Sequence, residues 1–113
     1  MIEIKVREFL IKKLNVDVFL EYPTDKNLDD FILIEKVGSS RENRLDSATI
    51  AIQSYGQDMY KAATLNERVK QAMEDLANDR KIGSVRLNSD YNFTDIEMKR
   101  YRYQAVFDIY YYN

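Results

Sequence analysis

The sequence contains no cysteine and no histidine, only one proline, and three glycines that stand far apart at positions 38, 56 and 83. Without cysteine there are no disulfides and no thiolate metal sites, as suits a protein made in a reducing compartment. Without histidine the chain lacks the side chain best suited to acid–base work near neutral pH and the commonest metal ligand. Ser39, Ser40 and Ser47 therefore have no imidazole to activate them, and isolated glycines cannot build a glycine-rich phosphate loop. No apolar run approaches the ~18 residues of a membrane span. Residues 1–8 alternate charged and apolar side chains where a secretory signal would need an apolar block, so a soluble protein without such a signal is expected. Seventeen Lys and Arg face 19 Asp and Glu, a net charge of −2, so no global positive field favours nucleic acid. These absences turn attention from chemistry to surfaces: no enzyme activity and no cofactor are expected.

What is present suffices for a fold. A chain of 113 residues is the size of one domain and buries roughly two thirds of its unfolded surface. Apolar residues at 45% and charged residues at 32% are ordinary for a globular chain. Ile2, Val6, Phe9, Leu10 and Leu14 share one helical face, Glu3 and Lys12–Lys13 complement the helix dipole, and Asn15 suits a left-handed stop, which predicts a helix over 2–14. A short strand over 16–22 follows, closed by Pro23, with a turn-rich loop over 24–30. Two β-branched and aromatic runs, 31–37 and 47–55, flank nine mostly polar residues and predict a hairpin with a long loop over 38–46. Asp58 can cap a helix whose apolar stripe runs from Met59 to Ala77. A strand over 84–88, a polar turn over 89–92 and a long final strand over 97–112 complete the chain, the last with Tyr101, Tyr103, Ala105, Phe107, Ile109 and Tyr111 at every second position. The expected fold class is α+β: a mostly antiparallel sheet with two helices packed on it and a long hairpin loop.

Three groups of residues invite a functional reading. Asp25, Asp29 and Asp30, with Asp90 and Asp95, lie in turn-like polar segments, so the solvated reading is preferred to acid–base chemistry, and their spacing does not fit a calcium loop. Nine tyrosines, some interleaved with Arg100 and Arg102, suggest a stacking platform for bases. In a strand, however, neighbours alternate between faces, so Tyr101 and Tyr103 cannot share a surface with those arginines. The segment 38–46 is the strongest candidate: it is long for a hairpin loop and carries both charge signs in Arg41, Glu42, Arg44 and Asp46, which suits docking on a protein. The aromatic end of the final strand, with Tyr110 and Tyr112, is a second candidate contact surface.

Several stretches taken together resemble the tail-terminator, or tail-completion, proteins of long-tailed bacteriophages and prophages. They are Tyr22-Pro23, the run from Ile34 through Val37-Gly38 to Asp46, the segment Ile50-Ala-Ile-Gln-Ser-Tyr55 leading into an Ala-rich helix, and the closing Arg100-Tyr-Arg-Tyr strand. The resemblance covers nearly the whole chain and implies a small α+β subunit of a hexameric ring. Such a ring caps the tail tube and joins it to the filled head, placing the protein in the virion at the head–tail junction and in the host cytoplasm during assembly. The implied partners are further copies of the chain, the tail tube protein and the head-completion connector, with no membrane and no sequence-specific nucleic acid. On this reading Arg41, Glu42, Arg44 and Asp46 lie at one ring or partner interface and Tyr110 and Tyr112 near another. Ser39 departs from the pattern, since the family often has a second glycine there. Another head–tail junction component is the nearest alternative reading, and a nucleic-acid-binding module a more distant one.

Overall fold

The computed structural model describes residues 1–24, 28–42, 44–97 and 100–112. Asp25, with Lys26 and Asn27 of the loop expected over 24–30, lies outside the described residues. In chain order the elements are α1 (Ile2–Leu14), β1 (Asp17–Phe19), β2 (Phe31–Glu42), β3 (Leu45–Gly56), α2 (Met59–Leu76), β4 (Ile82–Asn92) and β5 (Tyr101–Tyr112). The class is α+β as expected: one five-stranded sheet in the order β1-β2-β3-β5-β4, antiparallel except for the short parallel pair β1–β2. Both helices pack on one face.

Local chemistry sets the helix ends. Asn15 adopts φ 56° and ψ 46° and its backbone N–H bonds Ile11 O, so the left-handed stop read from the sequence is there. The Asp58 side chain accepts from Lys61 N at 2.8 Å and caps α2. Two arginines tie the elements: Arg7 Nε of α1 donates to Val18 O of β1 at 2.8 Å, and an Arg68 guanidinium nitrogen of α2 donates to Leu14 O of α1 at 2.9 Å.

The core lies between sheet and helices. Ile32 and Ile34 of β2, Ala48, Ile50 and Ile52 of β3, and Ala105, Phe107 and Ile109 of β5 alternate toward Val6 and Leu10 of α1 and Leu65, Val69, Met73 and Leu76 of α2. Each fully buried Val, Leu, Ile, Phe or Met side chain here contributes about 1.5–3 kcal/mol relative to exposure. The layers differ in length. Twelve-residue strands reach about 40 Å and the molecule measures 44 Å along its longest axis, whereas helices of 13 and 18 residues span about 20 and 27 Å. Neither helix can cover a long strand from end to end.

Three expectations change. The predicted loop over 38–46 is mostly ladder: β2 continues to Glu42, β3 starts at Leu45, and Gly38↔Thr49, Ser40↔Ser47, Arg41↔Asp46 and Glu42↔Leu45 are paired. The sequence there has no apolar alternation because residues 37–42 are exposed on both faces, and a strand without a buried face leaves no period-2 signal. Residues 89–92, read as a turn, belong to β4, whose pairing continues to Asn92↔Tyr103. The reversal falls later, around the isolated bridge Asp95↔Arg100. Finally, β1 is only Asp17–Phe19, so Tyr22 leaves the sheet and folds over it.

Candidate interaction surface

The two expected contact groups converge at one end of the sheet. Leu45 pairs with Tyr112, Asp46 with Tyr111 and Ser47 with Tyr110, so the hairpin carrying Arg41, Glu42 and Arg44 lies beside the tyrosine-rich end of β5. They form one surface where the sequence suggested two.

Within it the charges play different parts. Asp46 is only 5% exposed and holds Arg41 through two hydrogen bonds, Nε to Oδ1 at 2.8 Å and a guanidinium nitrogen to Oδ2 at 3.3 Å. The exposed guanidinium reaches back over a buried carboxylate, which raises the Arg41 pKa further. This pair fixes the hairpin from within. Glu42 and Arg44 are exposed, as are Val37 (57%), Leu45, Tyr110 (43%) and Tyr112 (53%). Tyr111 turns the other way, into a cavity of about 420 Å³ shared with Glu3, Lys36, Arg41, Asp46 and Lys81. Burial first, then the nearby carboxylates of Asp46 and Glu3, push its hydroxyl pKa up, against the pull of Arg41.

The face of the sheet away from the helices divides into two halves. At the hairpin end it is a bare ladder: the Ser40 and Ser47 hydroxyls meet at 2.6 Å, and Asp108 accepts from Thr49 at 2.8 Å and from Asn88 at 3.0 Å. Those two bonds, foremost the one from Asn88, hold the Asp108 carboxyl below the ordinary range, with Arg86 adding a smaller pull. At the opposite end a roof covers the sheet. Phe31 and Tyr55 stack with ring centres 4.5 Å apart, Tyr22 meets both edge-on, and the Arg102 guanidinium carbon lies 4.3 Å from the Phe93 ring centre.

Beneath this roof runs an unbroken chain of donors and acceptors. Arg102 donates to Tyr55 Oη at 2.8 Å, Tyr55 to Gln53 Oε1 at 3.0 Å, Gln53 to Gln104 Oε1 at 3.0 Å, and Gln104 to the Tyr91 hydroxyl. The chain satisfies the buried Gln53 and Gln104. No protein-family model and no curated protein matches the chain.

The aromatic–arginine cluster corrects the expectation that arginines and aromatics occupy separate faces. Alternation does separate Tyr101 and Tyr103 from Arg102 within β5, but aromatic partners arrive from other segments: Arg100 Nε donates to Tyr22 Oη at 2.7 Å across 78 positions of sequence. A cavity of about 630 Å³ opens here between Tyr22, Pro23, Tyr55, Asp95, Arg100 and Arg102.

Of the carboxylates read as solvated loop charge, Asp29 is exposed in a loop as expected and Asp90 needs correction. Asp90 sits on β4, where it accepts from Asn66 and from Lys70, both at 2.6 Å. Asp29 accepts from Gln57 at 2.6 Å, and one oxygen of Asp30 is buried without a partner among the described residues. Among the described residues no group of three or more His, Cys, Asp or Glu is placed to hold a metal ion, and no helix is long and apolar enough to cross a membrane.

Proposed function

We propose that the chain is a structural subunit of the tail-terminator kind, a protein that assembles with itself into a hexameric ring, caps a phage tail tube and joins it to the head. Its work is recognition without a reaction. Support comes from the sequence resemblance and, in the molecule, from one observation above all. The hairpin end of the sheet is bare on its open face and exposes Glu42, Arg44, Leu45, Tyr110 and Tyr112 together. Aromatic anchors beside charges of both signs make a composition suited to a protein partner.

The nucleic-acid reading is weaker. The guanidiniums it would need are bonded and stacked within the protein, Arg100 on Tyr22 and Arg102 on Tyr55 and Phe93. Native mass spectrometry over a range of concentrations tests the proposal. A closed species of about six subunits supports a ring. A monomer at every concentration, which also fails to bind added tail tubes, refutes it. Glu42→Lys with Arg44→Glu is the informative pair of substitutions, because reversing Arg41 would set a like charge beside the buried Asp46 and confound binding with folding.

A further inference from the structure

We infer that copies of this chain join by main-chain pairing of β2 of one copy with β4 of the next, which continues the antiparallel sheet across the contact. The inference rests on the reading that the chain assembles with itself and specifies the surface.

Three observations carry it. First, β1 covers β2 only at Phe31–Leu33, so from Ile34 to Glu42 no described strand lies on the outer side of β2, and none lies on the outer side of β4. Unpaired N–H and C=O groups along such edges are templates for another strand. Second, the direction is right. In the order β2-β3-β5-β4 each strand is antiparallel to its neighbour, so β2 and β4 run opposite ways. A second copy in the same orientation therefore brings its β2 antiparallel to β4, and the hydrogen-bond ladder continues without a reversal.

Third, each edge keeps a regular stretch between its bulges and chain reversals, and the charges on those stretches are of opposite sign where the two edges would meet. Bulges interrupt β2 between Lys36 and Gly38 and β4 between Ile82 and Ser84 and between Leu87 and Ser89, which leaves regular stretches over 38–42 and 84–87. Neither contains lysine or proline. They lie at the same end of the sheet, in rows such as Ser40, Ser47, Tyr110 and Ser84. Glu42 on β2 and Arg86 on β4 share the open face by register and carry opposite charges; Arg86 has Asp108 beside it, a carboxylate already held by Thr49 and Asn88. The contact joins two different patches, so it is heterologous and can close into a ring.

A chain without cysteine gives a clean background for cross-linking. The test oxidises Ser40→Cys and Glu42→Cys, each alone and each combined with Ser84→Cys or Arg86→Cys, and reads denaturing gels beside native mass spectra. Within one copy, positions 40 and 84 are three strand spacings apart, about 14 Å, too far for a disulfide. The expected result is a covalent ladder from at least one combined variant, extending to as many bands as the native assembly has copies, with single variants uncross-linked. Disulfide dimers from the single variants would replace the inference with two-fold pairing of like edges. Native assemblies without any cross-link would overturn it and leave self-assembly standing. Monomers throughout, with or without tail tubes, would remove both.

Discussion

Two glycines that look alike in sequence should respond to the same substitution with opposite sign. A Cβ built on Gly56 would lie 2.5 Å from Ala62 N, 2.9 Å from Lys61 C and 3.0 Å from Ala62 Cα. These are backbone atoms in the first turn of α2, where Ala62 N bonds Asp58 O at 3.1 Å and Lys61 N bonds the Asp58 side chain. They cannot rotate away as a side-chain tip could. Overpacking costs about 1–3 kcal/mol and disturbing the cap adds up to about 1, while restricting the unfolded chain returns about 0.4–1. Gly56→Ala should therefore destabilise by about 1–3 kcal/mol. Gly38 has nothing within 4 Å and, like Gly56, no positive φ, so Gly38→Ala keeps only the entropic gain and should stabilise by about 0.4–1 kcal/mol. At about 4 °C per kcal/mol for a chain of 113 residues, the two melting temperatures should differ by about 6–16 °C. Urea and thermal unfolding, each followed by far-ultraviolet circular dichroism, measure the free energies and the melting temperatures. A neutral Gly56→Ala would refute the close approach of β3 to α2, and a destabilised Gly38→Ala would refute the open setting of the bulge.

Tyr55→Phe keeps the ring stacked on Phe31 but breaks the first two links of the polar chain, leaving Gln53 Oε1 without this donor and Arg102 without this acceptor; a loss of about 1–3 kcal/mol in urea unfolding is expected, and no loss would mean the network carries no stability. Asp90→Ala strips the buried Asn66 amide of its acceptor and should destabilise by about 1–3 kcal/mol, whereas Asp90→Asn retains an acceptor and should stay within about 1 kcal/mol of the parent. Equal effects from those two variants would mean that the negative charge facing Lys70, and not the acceptor for Asn66, is what Asp90 contributes. Asp79 and Asp108 both have carboxyl pKa values below the ordinary range in the folded chain. Each therefore contributes stability that is present above about pH 4 and is lost as pH falls through the folded value. A urea midpoint that declines below about pH 4, with a shallower decline in Asp108→Asn, is the expected profile.

Burial contrast made most of the fold legible. The apolar stripe of α1 and the alternation Ala105-Phe107-Ile109 could be read because each places apolar side chains on one face and polar ones on the other, while the Asp58 cap and the Asn15 stop could be read from residue type alone. The hairpin end was not legible, since β2 beyond Lys36 is exposed on both faces and its Gly-Ser-Ser composition resembles a loop. The turn-prone Asn43 was the available signal for a tighter reversal. Asp90 was misread for a related reason. Its partners Asn66 and Lys70 come from α2, and local polarity cannot reveal a distant amide. The candidate contact residues were found on composition, but that they form one surface depends on the β3–β5 register.

The two halves of the open face show how the fold leaves one end available. Helices of about 20 and 27 Å cannot shield strands of about 40 Å, and in any case they lie on the other face. At the β1 end the chain supplies its own cover: Tyr22 folds over Phe31 and Tyr55, Phe93 lies against the Arg102 guanidinium, and Arg102 fastens the roof through the Tyr55 hydroxyl and Phe93 O. At the hairpin end there is no equivalent segment among the described residues, and Val37, Leu45, Tyr110 and Tyr112 remain exposed. Apolar side chains gathered on a surface mark places where another protein binds, unless they are scattered singly. Here the register brings Leu45 opposite Tyr112, one row from Tyr110. If cover is what this end lacks, Tyr110→Ser with Tyr112→Ser should leave the urea midpoint of the monomer nearly unchanged while weakening any assembly seen by native mass spectrometry. A large loss of monomer stability would instead assign these rings to the fold.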